Sequence, residues 1–224
     1  MLLATKNLSS ELVTIGPVTI DLKKINAELK HKTPVEIVQW AIEQNRKLIV
    51  TTKFGPHSAA LLHLVTQQKP DTQVLWADHG YNTKPTYLFA DKLIKQLSLN
   101  MKIYTPEVTS ARRDTLMGGV PDIGDPLHEE FTRQVKLEPF GRAMDELQPE
   151  LWLTGIRKDQ TAFRESLDIV TLTKRGIYKV APLFNWTEID LEGYLYENDL
   201  PSEVDYFDPT KVLSDRECGL HYAI

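Results

Sequence analysis

Lys47-Leu48-Ile49-Val50-Thr51-Thr52-Lys53-Phe54-Gly55-Pro56-His57-Ser58 is the stretch that decides the fold. Its first six residues are a short β-rich run, and Gly55-Pro56 breaks that run into a turn. From Ala59 to Gln68 the sequence is helical, so the unit reads strand, turn, helix. The order recurs downstream. Gln73 to Asp78 is a second strand ending in His79-Gly80-Tyr81, followed by a helix from about Pro85 to Leu97. Met101 to Tyr104 forms a third strand, and a helix over Glu138 to Leu147 leads into a fourth at Leu151-Trp152-Leu153-Thr154-Gly155. Strands alternating with helices of this length imply an α/β fold, a parallel sheet with helices on both faces. Its crossovers should be right-handed. Upstream, Thr33-Pro34-Val35-Glu36 has the form of a capping box with proline at the first helical position, and Val35, Val38 and Ile42 continue as an apolar stripe.

Ligands of such sheets bind beyond the carboxyl ends of the strands. Those positions hold Thr51, Thr52, Lys53, Phe54 and Gly55 after the first strand, and Asp78, Gly80 and Tyr81 after the second. Gly155, Arg157, Lys158 and Arg164 follow the fourth. Hydroxyls, backbone N–H groups before a helix and cations are what a phosphate requires. Taken singly, each loop is an ordinary turn or a solvated basic pair; their convergence on one sheet edge points to an anionic ligand.

Composition narrows the classes. The chain has 224 residues and a net charge of −5, which argues against a general binder of nucleic acid or of membrane surfaces. Any anion must be gripped by a local cluster. The opening Met1-Leu2-Leu3-Ala4-Thr5-Lys6 is too short in apolar residues for a signal peptide, and no stretch reaches transmembrane length. Scarce cysteine fits a reducing compartment, so the expected location is cytoplasmic. The six histidines lack paired spacing with carboxylates on one helix face, so no metal is expected. Trp40, Trp76, Trp152 and Trp186 read as core.

Cys218 is the one cysteine of the chain, set in Arg216-Glu217-Cys218-Gly219-Leu220-His221. A lone thiol excludes an intrachain disulfide, a four-thiolate iron–sulfur cluster and a cysteine-rich zinc site. Burial is the ordinary fate of free cysteine. Here the charged, glycine-bearing context favours a reactive thiolate instead, with Arg216 and His221 as neighbouring cations. A covalent product on Cys218 then has to be resolved by a second molecule.

Five segments, in order, resemble the assimilatory phosphoadenosine phosphosulfate (PAPS) reductase family of the thioredoxin-dependent type without an iron–sulfur cluster. They are Thr51-Thr52-Lys53-Phe54-Gly55; Asp78-His79-Gly80-Tyr81; Lys136 with Pro139 and Arg142; Gly155-Ile156-Arg157-Lys158-Asp159-Gln160-Thr161-Ala162-Phe163-Arg164; and Glu217-Cys218-Gly219-Leu220-His221. The last two together are highly specific. The resemblance implies an adenine-nucleotide α-hydrolase type of fold, ending in a tail that carries the catalytic cysteine. It also implies conversion of PAPS to sulfite and adenosine 3′,5′-bisphosphate. Cys218 would be the nucleophile. His221 is a second catalytic candidate, with a solvated imidazole as the plain alternative. The substrate contacts implied are Thr51, Thr52, Lys53, Phe54, Gly55, Asp78, Gly80, Tyr81, Lys136, Arg157, Lys158, Gln160 and Arg164. Reduced thioredoxin or glutaredoxin would be the electron donor, with no bound cofactor, and the family suggests a homodimer. One domain spans 1–224, with a helical region over 1–45, a nucleotide-binding core over 46–200 and the cysteine tail over 201–224.

Departures from the family pattern bear on nucleotide recognition. The segment from Ser202 to Asp215 is shorter than usual, His79 replaces a threonine, Lys53 replaces a small residue, and Lys84-Pro85 replaces a Pro-Glu pair. What contacts the 3′-phosphate is left open. Three rival readings remain: reduction of adenosine 5′-phosphosulfate, whose enzymes usually carry cluster cysteines; an adenylating ATP pyrophosphatase, whose first loop usually holds an acidic residue absent from 51–56; and a nucleotide-binding protein without turnover.

Overall fold

The computed structural model describes residues 20–122 and 124–210. Two short helices, α1 (Leu22–Leu29) and α2 (Pro34–Glu43), precede the sheet. The expected capping box is present: the Thr33 hydroxyl accepts from the Glu36 N–H, and the Glu36 carboxylate accepts from the Thr33 N–H. There follow β1 (Leu48–Thr52), α3 (Ser58–Gln68), β2 (Gln73–Ala77), α4 (Lys84–Gln96) and β3 (Asn100–Tyr104). Next come α5 (Ser110–Met117) and α6 (Leu127–Thr132), the latter running through a π-helical turn, Arg133–Leu137, into α7 (Glu138–Leu147). The remainder is β4 (Leu151–Leu153), a 3₁₀ turn over Lys158–Gln160, α8 (Ala162–Glu165), β5 (Val170–Leu172), β6 (Tyr178–Val180) and α9 (Glu188–Glu197). Threonine hydroxyls also cap α4, α5, α8 and α9, each satisfying an N–H left open by the first helical turn.

The strands form one six-stranded sheet in the order β3-β2-β1-β4-β6-β5. All pairings are parallel except the last, β5 with β6. That antiparallel edge was not read from sequence, because strands of three residues carry no resolvable periodicity.

Side-chain alternation along the strands builds a core on each face. Val50, Val74, Trp76, Leu151 and Leu153 pack with α3 in the larger core, which also takes Ile37 and Val38 of α2. Ile49, Leu75 and Trp152 point the other way, against Phe140, Ala143 and Met144 of α7. Six residues of α3 between Ala59 and Val65 are almost fully buried, so this helix is enclosed rather than amphipathic. Trp76 and Trp152 are core residues as expected, whereas Trp40 and Trp186 are half-buried at the margin of the larger core. Among the described residues no helix is long and apolar enough to cross a membrane.

Candidate functional site

The chain leaves β1 toward β2 and β3, then returns to the opposite side of β1 as β4. This reversal opens a crevice beyond the carboxyl ends of β1 and β4, where open α/β sheets place their ligands. The loops expected to bind the anion flank that crevice.

In the β1 loop, sequence and structure divide the labour differently. The Thr51 hydroxyl accepts from Trp152 Nε1 at 2.8 Å and ties β1 to β4. Thr52 Oγ1 accepts from the Phe54 N–H at 3.0 Å. Phe54 has a positive φ of 52° and a fully buried ring, edge-on to Trp76 at 4.8 Å. Its side chain therefore plugs the core, which leaves only its backbone as a possible ligand contact. Lys53 is exposed, with its ammonium 4.5 Å from the centre of the Tyr206 ring. Gly55 is closely approached: a Cβ there would lie 3.1 Å from Lys53 Cε, the flexible end of an exposed side chain, and in ordinary contact with the Tyr206 ring at 3.6 Å. Thr51→Val should strand the indole N–H of Trp152, which is 3 % exposed, and lower stability by about 1–3 kcal/mol in urea titrations. A smaller change would mean that the indole finds another acceptor.

The β2 loop is organised around Asp78, whose Oδ1 accepts from the Gly80 N–H (3.0 Å), Asn82 Nδ2 (2.8 Å) and the Tyr87 hydroxyl (3.0 Å). Burial and the Asp78 carboxylate push the Tyr87 phenol up to about 12. Gly80 turns the chain at a φ of 79°. Tyr81 donates its hydroxyl to Asp114 on α5 at 2.7 Å and packs on Phe131 of α6 with ring centres 5.3 Å apart.

After β4, Arg157 and Arg164 are buried, at 8 % and 7 % exposure. Both are tied to Gln160: the Arg157 N–H and an Arg164 guanidinium N–H donate to Gln160 Oε1. Arg157 Nε also donates to Asp159 at 3.0 Å. Two buried arginines on one loop, braced by Gln160 and Asp159, make this a candidate anion site. Lys158 turns outward, donating to Asn185 Oδ1 at 3.0 Å.

Lys136 sits in the π-helical turn, a local widening that often marks functional positions. Its ammonium donates to Asp208 Oδ2 at 2.7 Å and to Thr210 Oγ1 at 2.8 Å. Asp208 also accepts from the backbone and hydroxyl of Thr210. Burial alone would raise the Asp208 carboxyl, but the Lys136 charge and these hydrogen bonds hold it well below the usual carboxylate range. Residues 202–210 thus lie across the site, further fixed by Ser202 Oγ on the Pro56 carbonyl and by Tyr206 on Lys53. The pairing of Asp208 with Lys136 is not foreseen by the sequence analysis. The Asp208-x-Thr210 hydrogen-bonded turn was its one available signal. Cys218 and His221 lie outside the described residues.

The fold also brings His57, at the start of α3, to Glu188 and Glu192 on α9, with potential ligand atoms within 4.8 Å of one another. This grouping was invisible to a search for spacing on one helix. Glu188 is largely exposed, and burial followed by the Arg157 charge lowers the His57 pKa against the pull of the two carboxylates. The arrangement is an open contact of a neutral imidazole with two solvated acids.

Fold and site together define a nucleotide-binding α/β protein of the adenine-nucleotide α-hydrolase type, with basic groups at the switch point of its sheet. The family model for the phosphoadenosine phosphosulfate reductase domain matches residues 47–207. The chain is 41% identical over 184 residues to the phosphoadenosine 5′-phosphosulfate reductase of Synechococcus sp., covering 80% of this chain and 78% of the relative. The crystal structure of PAPS reductase from Candida auris, a phosphate complex, superposes with a TM-score of 0.71 at 26% identity, covering 84% of this chain and 92% of that one. The Candida glabrata FMN adenylyltransferase shares the fold alone, with a TM-score of 0.54 at 14% identity over 83% of this chain and 63% of that one. This chain belongs to the phosphoadenosine phosphosulfate reductase family.

Proposed function

We propose that the protein reduces PAPS to sulfite and adenosine 3′,5′-bisphosphate, in a cytoplasmic setting and as a homodimer. The observation that carries this reading is the pair of buried arginines in the loop after β4, Arg157 and Arg164, braced by Gln160 through the Arg157 backbone N–H and the Arg164 guanidinium. It gains weight from the family match across the same loops. The Cys218 thiolate attacks the sulfur of the phosphosulfate; an S–S bond forms, the S–O bond breaks, and its electron pair leaves with the nucleotide phosphate. Lys136, Arg157 and Arg164 offset the repulsion between thiolate and substrate and stabilise the departing phosphate, whereas Lys158, turned outward to Asn185, is left out of this role. A thiolate of reduced thioredoxin or glutaredoxin then attacks the Cys218 sulfur, and sulfite leaves with the S–S electron pair. The donor's second thiol closes its own disulfide and frees Cys218. Sulfur is reduced by two electrons, and the donor dithiol is oxidised by two. Thr51, Thr52, Lys53, Phe54, Gly55, Asp78, Gly80, Tyr81 and Gln160 shape the nucleotide cradle, with Phe54 acting through its backbone. The domain reading of 1–45, 46–200 and 201–224 belongs to this proposal.

Kinetics with PAPS and adenosine 5′-phosphosulfate side by side test the substrate. Faster turnover of PAPS by iron-free protein is expected, and equal or reversed preference would overturn it. Arg164→Ala should weaken binding of adenosine 3′,5′-bisphosphate by about 1.5–3 kcal/mol in calorimetry, the range for a hydrogen bond to a charged group. Unchanged affinity would remove Arg164 from the phosphate site.

A further inference from the structure

Five buried side-chain atoms among the described residues lack a hydrogen-bond partner: His79 Nε2, Asn82 Oδ1, Arg113 Nη1, His128 Nε2 and Thr132 Oγ1. All lie on the β2 loop or on the α5–α6 wall that packs against it through Tyr81. Buried polar atoms are rarely left unpaired, so such a concentration on one side of a ligand site needs a cause.

His79 is the most informative of them. It is 6 % exposed, and its Nδ1 accepts from the Tyr81 backbone N–H at 3.0 Å. That bond sets the tautomer: in the neutral ring, Nε2 carries the hydrogen and is a donor with no acceptor. Burial lowers the pKa of His79, opposed by Asp208 and Asp78 and assisted by Lys136, so the ring is neutral at physiological pH. The two carboxylates acting on it are already engaged. Asp78 Oδ1 takes three internal donors, and Asp208 takes Lys136 and Thr210. Among the described residues Nε2–H meets no acceptor, which leaves the position open to a ligand oxygen, and the nearby ammonium of Lys136 favours an anionic one.

We infer that His79 is a substrate-binding residue whose Nε2–H donates to a phosphate oxygen of the nucleotide. The inference rests on the function proposed above and adds a contact at a position where the family pattern has threonine. A neutral imidazole donor binds an oxyanion without adding charge to the Lys136–Asp208 pair, and its direction is preset by the Tyr81 hydrogen bond.

The test uses full-length protein labelled with ¹⁵N-histidine, the His79 resonance being assigned by its loss in His79→Gln. Adding adenosine 3′,5′-bisphosphate should move the Nε2–H proton downfield, and inorganic sulfate alone should reproduce part of the shift. In calorimetry, His79→Phe, which keeps the ring and removes the donor, should bind the nucleotide about 10-fold more weakly. His79→Gln, which keeps a distal N–H, should recover most of that loss. An unmoved Nε2–H while calorimetry records nucleotide binding overturns the inference and leaves the proposed function standing, as does undiminished affinity in His79→Phe. Wild-type protein that binds no nucleotide overturns both.

Discussion

Cys218→Ser is expected to eliminate sulfite release while leaving nucleotide binding intact. The substitution keeps the size and polarity of the side chain but replaces a thiol with a hydroxyl whose pKa lies far above physiological pH, so no nucleophilic anion is present. Loss of an essential nucleophile lowers turnover by on the order of 10³-fold or more, because the remaining groups bind and polarise substrate without a bond-forming partner. The chain has one cysteine and therefore no internal resolving thiol. Wild-type protein incubated with PAPS and no reductant should accordingly gain the mass of one sulfonate, on Cys218, and stop. Calorimetry with adenosine 3′,5′-bisphosphate should give the same affinity for both proteins. Substantial thioredoxin-linked sulfite production by Cys218→Ser would sink the covalent scheme, as would sulfite release from wild type that remains unmodified.

Lys136→Met is expected to release residues 202–210 from the sheet edge. The Lys136 and Asp208 side chains are 12% and 5% exposed, so the carboxylate left behind would be buried without a counter-ion. Removing one partner of such a pair costs about 3–5 kcal/mol, mostly the desolvation of the stranded charge. Rehydrating Asp208 by peeling the segment off is the available escape. Hydrogen exchange should therefore show lost protection across 203–210, with the sheet unaffected. The double variant Lys136→Met/Asp208→Leu should restore much of it, since no charge is left to solvate. The pH dependence has a definite sign. Asp208 has a folded pKa below its unfolded value, so its contribution is complete above roughly pH 4 and is lost as pH falls through the folded pKa. Near-neutral pH effects on the segment would thus have another origin. Full protection of 203–210 in Lys136→Met would show that Ser202, Tyr206 and the backbone suffice to hold it.

Legibility varied with the range of the interaction. The β1 to α3 unit, the capping box at Thr33 and the four parallel strands first expected were readable because strand period, helix period and turn chemistry are local properties. Candidate anion-binding loops followed from position alone, since the ends of parallel strands must share one edge. Phe54 shows the limit of that reading: its place after β1 marks it as a loop residue, yet its ring fills the space between Trp76 and Phe89. Thr51 likewise carries a phosphate-binding type of hydroxyl that is committed to Trp152, a partner 101 residues away.

By itself, then, the sequence determined the α/β class, the order of its main elements, the single available thiol and which loops are candidates for holding an anion. Each of these depends on residue identity and spacing within some twenty residues, or on a count. Tertiary structure alone decided which polar groups are free to bind. Lys136 is paired with Asp208, 72 positions away; His79 has one ring nitrogen satisfied and the other stranded; Arg157 and Arg164 meet on Gln160. The physical reason is that the availability of a donor or charge depends on burial and on the atoms within about 3 Å of it. Chain distance sets neither of them.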